Sequence, residues 1–134
     1  MPQITKQYKF CAAHRYWNDD WDEAKNIEVF HDDVRLHGHN YDLYITIKGP
    51  IDNSSGFVVN LKELNEVVNK KVINVLDHNL IQDVEWFNDK QPSTENLVVF
   101  IWEQIASEIA LPAKLFCVKL RETGTIFTEY YGDE

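Results

Sequence analysis

Between Tyr41 and Lys48 apolar and polar residues alternate without interruption, with Leu43, Ile45 and Ile47 on one side and Asp42, Tyr44, Thr46 and Lys48 on the other. A period of two suits a strand with one buried face, because successive side chains leave opposite faces of a sheet. Ile4 to His14 reads as a second strand-like run. Residues 114–122 and 125–131 read as two more, joined around Thr123-Gly124, a hairpin signal. The period changes after the turn-forming stretch Pro50 to Gly56. Asn60 stands three positions before Glu63 as a helix cap, and Leu61, Leu64, Val68, Val72 and Val75 then recur at helical spacing, with Asn69, Lys70 and Lys71 on the wet side. A second helix starts after Pro92, with Ser93 or Thr94 as its cap, Glu95 in its first turn, and Val98, Ile101, Ile105 and Ile109 as its apolar stripe. Residues 16–36 follow neither period and read as a long loop rich in Trp17, Trp21 and acidic groups. A loop of that length in a compact domain is usually functional. The order is strand, long loop, strand, helix, loop, helix, strand, strand. It predicts an α+β domain in which helices cover one face of an antiparallel sheet.

Composition narrows the function. A chain of 134 residues predicts one domain, 1–134, with a single sizeable core. No stretch approaches the ~18 apolar residues of a membrane span, and the N-terminus lacks a signal-peptide core. Cys11 and Cys117 are too few for a disulfide framework and fit a reducing cytoplasm. A net charge of −9 argues against nucleic acid or an anionic membrane as partner. A small anionic substrate stays compatible, because its site can be locally positive through zinc, Arg15 or Arg35.

The sharpest chemical signal is His37-Gly38-His39. An i, i+2 pair on a strand points both imidazoles to one face, which suits two ligands of one metal ion. His14 ends the first strand-like run, and two adjacent antiparallel strands would bring it beside them. Three neutral histidines with an open fourth position describe a catalytic zinc site. The plainer alternative is that His14 merely closes its strand as a satisfied, partly buried residue. His31 lies in the long loop and is set aside as a fourth ligand. Asp77 and His78 are neighbours after the first long helix, where a carboxylate can fix an imidazole tautomer, or where a histidine simply meets free helix carbonyls. Glu122 closes a strand face shared with Phe116, Val118 and Leu120, so its carboxylate either surfaces at the rim or anchors a polar ligand.

Together these motifs resemble the 6-pyruvoyltetrahydropterin synthase and 6-carboxytetrahydropterin synthase family. The resemblance runs through Phe10-Cys11-Ala12-Ala13-His14-Arg15, His37-Gly38-His39-Asn40-Tyr41, Gly56-Phe57-Val58-Val59-Asn60-Leu61, Leu76-Asp77-His78, Ser93-Thr94-Glu95-Asn96, Ile101-Trp102 and Arg121-Glu122-Thr123. It implies a T-fold: a four-stranded antiparallel sheet with two helices on one face, in the order ββααββ, assembled as a hexamer of two trimers. It implies Zn2+ held by His14, His37 and His39, and a pterin anchored by Glu122 through two adjacent N–H donors. Ser93, Thr94 and Glu95 would line or brace that pocket. Asp77 and His78 would relay protons at a subunit interface. The implied activity is a zinc-dependent lyase acting on 7,8-dihydroneopterin triphosphate.

One position departs from the family pattern. The family's catalytic cysteine lies four residues before the first histidine of the metal motif in bacterial members, and here that position is Asp33. A carboxylate of ordinary pKa ~3.9 is a poorer base than a thiolate unless desolvation raises it. Asp33 therefore reads either as a retuned base or as half of a solvated pair with Asp32, leaving His78 as the only base. Family branches that lack the cysteine are similar in using a nearby glutamate to cleave the side chain, giving 6-hydroxymethyldihydropterin. A homologue that binds zinc and pterin without turnover, and a purely structural zinc module, are the competing classes.

Overall fold

The computed structural model describes residues 1–133. β1 (Gln3–His14) and β2 (His37–Lys48) pair antiparallel along their whole length, from Gln3 opposite Lys48 to His14 opposite His37. Between them, α1 (Glu23–Phe30) is followed by a 3-10 turn, His31–Val34. α2 (Leu61–Val68) continues through a π segment, Asn69–Ile73, and a last turn, Asn74–Leu76. Then come β3 (Asn79–Leu80), α3 (Thr94–Ile105), β4 (Lys114–Thr123) and β5 (Ile126–Tyr130). The sheet order is β3-β1-β2-β4-β5, with β3 parallel to β1 and the other pairs antiparallel.

The α+β class holds, but two expectations are corrected. The sheet has five strands of mixed direction rather than four antiparallel ones in the order ββααββ. The extra strand pairs only Asn79 and Leu80 with Ala12 and Ala13, too short a run to show any period. The segment 16–36 contains α1 and a 3-10 turn rather than loop alone. Its helix is held by polar chemistry instead of an apolar stripe. The Asp22 side chain accepts from the Lys25 N–H. Fully buried Asn26 accepts from the Asn18 N–H at 2.7 Å and donates to the carbonyls of Asn18 and Asp22 at 3.0 Å.

Burial follows the period predicted for the strands. Tyr8, Phe10, Ala12 and His14 of β1 and Tyr41, Leu43, Ile45 and Ile47 of β2 face the core. Against them pack Leu64, Val68, Val72 and Leu76 of α2, and Leu97, Val98, Ile101 and Ile105 of α3. Each fully buried Leu, Ile or Val contributes roughly 1.5–3 kcal/mol, so this face dominates the stability. Both long helices start as expected: Asn60 accepts from the Lys62 and Glu63 N–H groups, and Ser93 from that of Asn96. Ile109 of the predicted stripe lies beyond α3, where it still packs on the core. Because His14, His37 and His39 continue the buried parity of their strands, they emerge where the apolar core ends. No helix is long and apolar enough to cross a membrane among the described residues.

The buried amide that ties α1 generates a stability prediction. Asn26→Ala leaves the Asn18 N–H without its acceptor, while the Asn18 and Asp22 carbonyls keep their backbone donors, so urea unfolding should show a loss of about 1–3 kcal/mol. A change below about 0.5 kcal/mol would show that α1 is held by something else.

Candidate metal and substrate site

Three imidazoles converge at the end of the β1–β2 ladder. The ring centroids of His14 and His37 lie 4.6 Å apart, and each lies 5.1 Å from that of His39. One ligand atom from each falls within 4.8 Å of the others. The ladder produces this directly: His14 is opposite His37, and Ala12 is opposite His39, leaving a small side chain beside the second ring. A Cβ on Gly38 would sit 3.3 Å from the Ala12 carbonyl, so the glycine allows that close strand approach.

Two rings are oriented through their outer nitrogens. His14 Nδ1 meets the Pro92 carbonyl at 2.6 Å, and His37 Nδ1 meets the Arg35 carbonyl at 2.8 Å. A carbonyl only accepts, so each Nδ1 carries the proton and each Nε2 keeps a free lone pair. His14 Nε2 and His39 Nε2 are buried and have no hydrogen-bond partner among the described residues. Burial is the main cause that lowers the His14 pKa from 6.5 to about 4, so the ring is neutral at pH 7. Three converging imidazoles, two of them with buried, unpartnered Nε2 atoms, fit a divalent cation of zinc type.

Carboxylates surround the cluster. Glu122 Oε1 lies 3.0 Å from His39 Nε2 without hydrogen-bond alignment, so it flanks that nitrogen rather than capping it. Burial raises the Glu122 pKa, against the opposing pull of His39 and His37. Asp33 Oδ1 stands 3.8 Å from His37 Nε2 at the exposed rim, and the Asp33 carbonyl accepts from the Tyr16 N–H. Ser93 is occupied as the α3 cap. Thr94 is buried, accepts from Thr128 Oγ1 at 3.1 Å and donates to Glu95 Oε1 at 3.0 Å, which orients that carboxylate.

Asp77 and His78 form a pair, with Asp77 Oδ2 3.0 Å from His78 Nδ1. Asp77 Oδ1 accepts from the Cys11 N–H at 2.9 Å, the largest cause that lowers its pKa. Cys11 has the opposite strand parity to His14, and among the described residues no hydrogen bond or ion pair joins the dyad to the three histidines. The His78 side chain is 81% exposed. His31 lies outside the cluster.

Sequence reasoning missed two phenols. Tyr16 packs against His14 with centroids 5.0 Å apart, and burial with the charges of Glu122, Asp33 and Glu95 raises its pKa. Tyr41 packs against His39 and has its pKa raised chiefly by burial and then by Glu122. The period-two pattern contained the signal for Tyr41, which continues the parity of His37 and His39.

A family model described as 6-pyruvoyl tetrahydropterin synthase matches residues 3–133. The chain is 39% identical over 132 residues to the 6-pyruvoyl tetrahydrobiopterin synthase of Drosophila melanogaster, covering 96% of this chain and 79% of the relative. It is 32% identical over 134 residues to the human protein of that name, covering 98% and 92%. The solved 6-pyruvoyl tetrahydropterin synthase of Caenorhabditis elegans superposes with a TM-score of 0.89 at 30% identity, covering 99% of this chain and 98% of that one.

The depressed His14 pKa makes a prediction for metal-free protein. Between pH 6.5 and about 4 the unfolded chain takes up a proton at this position that the folded chain refuses. Stability should therefore fall as the pH drops through that window, by up to about 3 kcal/mol. His14→Gln should remove that part of the slope in urea titrations across pH, and parallel curves for both proteins would refute the assignment.

Proposed function

The chain belongs to the 6-pyruvoyl tetrahydropterin synthase family, and on that footing we propose a zinc-dependent lyase acting on 7,8-dihydroneopterin triphosphate at the three-histidine site. The observation that carries this reading is the convergence of His14, His37 and His39, with the Nε2 atoms of His14 and His39 buried and unpartnered among the described residues. Those three residues would hold Zn2+, which when bound supplies Lewis acidity to the side-chain hydroxyls of the substrate. Glu122 binds the amino and ring N–H donors of the pterin by a two-point match and fixes its orientation. Thr94 holds Glu95 beside that pocket, and Ser93 fixes the start of the helix that carries both.

Asp33 stands where the family carries a cysteine, 3.8 Å from His37 Nε2, and in this reading takes a proton from a side-chain carbon of the substrate held there. Asp77–His78 would relay a proton to the ring or to the departing triphosphate. Within one chain the dyad has no tie to the histidines, and His78 is exposed, so in this reading a second copy presents it. Most of the outer edge of β1 and the outer edge of β5 lack a partner strand among the described residues, which suits head-to-tail sheet continuation into a trimer and a hexamer of two trimers. Asp33 also favours a second reading, side-chain cleavage to 6-hydroxymethyldihydropterin.

Incubating zinc-loaded protein with the triphosphate tests the proposal. Release of inorganic triphosphate is the expected result; a two-carbon side-chain fragment that still carries the triphosphate would favour the second reading. Binding without any product would leave a non-catalytic homologue. Asp33→Ala should lower turnover by about 10²–10⁴, the usual contribution of a positioned base. Unchanged turnover in both Asp33→Ala and Asp33→Cys would remove Asp33 from the mechanism.

A further inference from the structure

Tyr41 is 1% exposed, and its hydroxyl has no hydrogen-bond partner among the described residues. A buried hydroxyl without an acceptor is destabilising by about 1–3 kcal/mol. Phenylalanine would fill the same space without that penalty, so the hydroxyl calls for an explanation beyond packing. The ring is held firmly, stacked on Phe10 at 4.8 Å and 16° and set edge-on to His39 at 5.6 Å and 75°. It has little room to turn toward solvent.

The nearest complement lies on the next strand. The β2–β4 ladder ends with Asp42 opposite Arg121, and Tyr41 and Glu122 are the next residues on the two strands, each continuing the core-facing parity of its strand. The charge of Glu122 reaches the Tyr41 phenol. Glu122 is itself largely shielded from solvent, and among the described residues no donor hydrogen-bonds to its carboxylate; it only flanks His39 Nε2. A donor without an acceptor thus lies near an acceptor without a donor, and the two are not joined. Tyr41 is almost wholly buried, whereas the Glu122 carboxylate keeps some exposure beside the histidines.

We propose that Tyr41 is a positioning residue for Glu122. When a ligand draws the carboxylate away from His39, the phenol O–H donates to one Glu122 oxygen from behind and leaves the carboxylate's outward lone pairs to the ligand's N–H groups. The inference rests on the reading of Glu122 as the anchor of a pterin. It adds a residue that never touches the ligand and acts through another. It also explains why a phenol occupies a position where the strand pattern asks only for an apolar ring.

The experiment is a double-mutant cycle on zinc-loaded protein, with reduced pterin affinity read by calorimetry. Tyr41→Phe should weaken binding about tenfold when Glu122 is present, and less than twofold in a Glu122→Ala background. The thermal midpoint of Tyr41→Phe without ligand should stay level or rise, and the absorption spectrum of cobalt-substituted protein should not change. Equal weakening in both backgrounds would mean that Tyr41 touches the ligand itself and would overturn the proposal. So would unchanged affinity in Tyr41→Phe, or a fall in the ligand-free midpoint together with an altered cobalt spectrum. Failure of wild-type protein to bind any reduced pterin would sink the pterin reading and this inference together, whereas tight wild-type binding with no coupling between the two residues sinks this inference alone.

Discussion

The register of β1 against β2 is the constraint on which the site depends. Twelve consecutive pairs, ending with His14 opposite His37, bring together residues that are far apart in sequence. A slip of one residue would turn His37 and His39 to the polar face, together with Leu43, Ile45 and Ile47. The apolar half of each strand therefore secures the position of its histidine half. Burial of Leu43, Ile45 and Ile47 against α2 and α3 resists the slip that would scatter the ligands. The geometry of the three-histidine cluster is a consequence of core packing.

That dependence explains what was legible in sequence. Leu43 to Lys48 alternates cleanly, and the same parity extended backward predicts where His39 and His37 point. Asn60 and Ser93 cap their helices where capping chemistry says they should. β3 was invisible because two residues show no period, and it forms only because the chain leaving α2 meets the free edge of β1 at Ala12 and Ala13. α1 was invisible for a different reason. Its one buried residue is Asn26, so the segment carries no apolar stripe and reads as loop. The role of Tyr41 was hidden because a tyrosine among apolar neighbours looks like core until its hydroxyl is found without a partner.

The surroundings of the histidines are strongly acidic. Asp33, Glu95 and Glu122 lie close enough to influence one another or the phenols between them. With His14 neutral, that arrangement is electrostatically unfavourable unless a cation shares it. A divalent ion held by the three histidines would relieve the repulsion and satisfy the buried nitrogens at once. The same acidity explains why Tyr16 and Tyr41 remain protonated: neighbouring carboxylates and burial both oppose phenolate formation. Each phenol therefore keeps its O–H proton.

Orientation of the rings depends on a second, shorter element, the strip from Gln91 to Thr94. The Gln91 side chain accepts from the Trp17 N–H and donates to the Trp17 carbonyl, gripping the segment that leads to α1 from both sides. The Pro92 carbonyl fixes His14, the Ser93 hydroxyl starts α3, and Thr94 joins β5 through Thr128. Four successive residues thus tie β1, the α1 segment, α3 and β5 to one point. Proline suits the centre of such a strip, because its restricted φ limits how far the carbonyl that holds His14 can wander. The cluster is prepared before any ligand arrives, so binding need not order these rings and less free energy is lost in doing so. Sequence spacing could not reveal this, because the strip meets Trp17 and His14 at 74 to 78 residues and Thr128 at 34 residues along the chain.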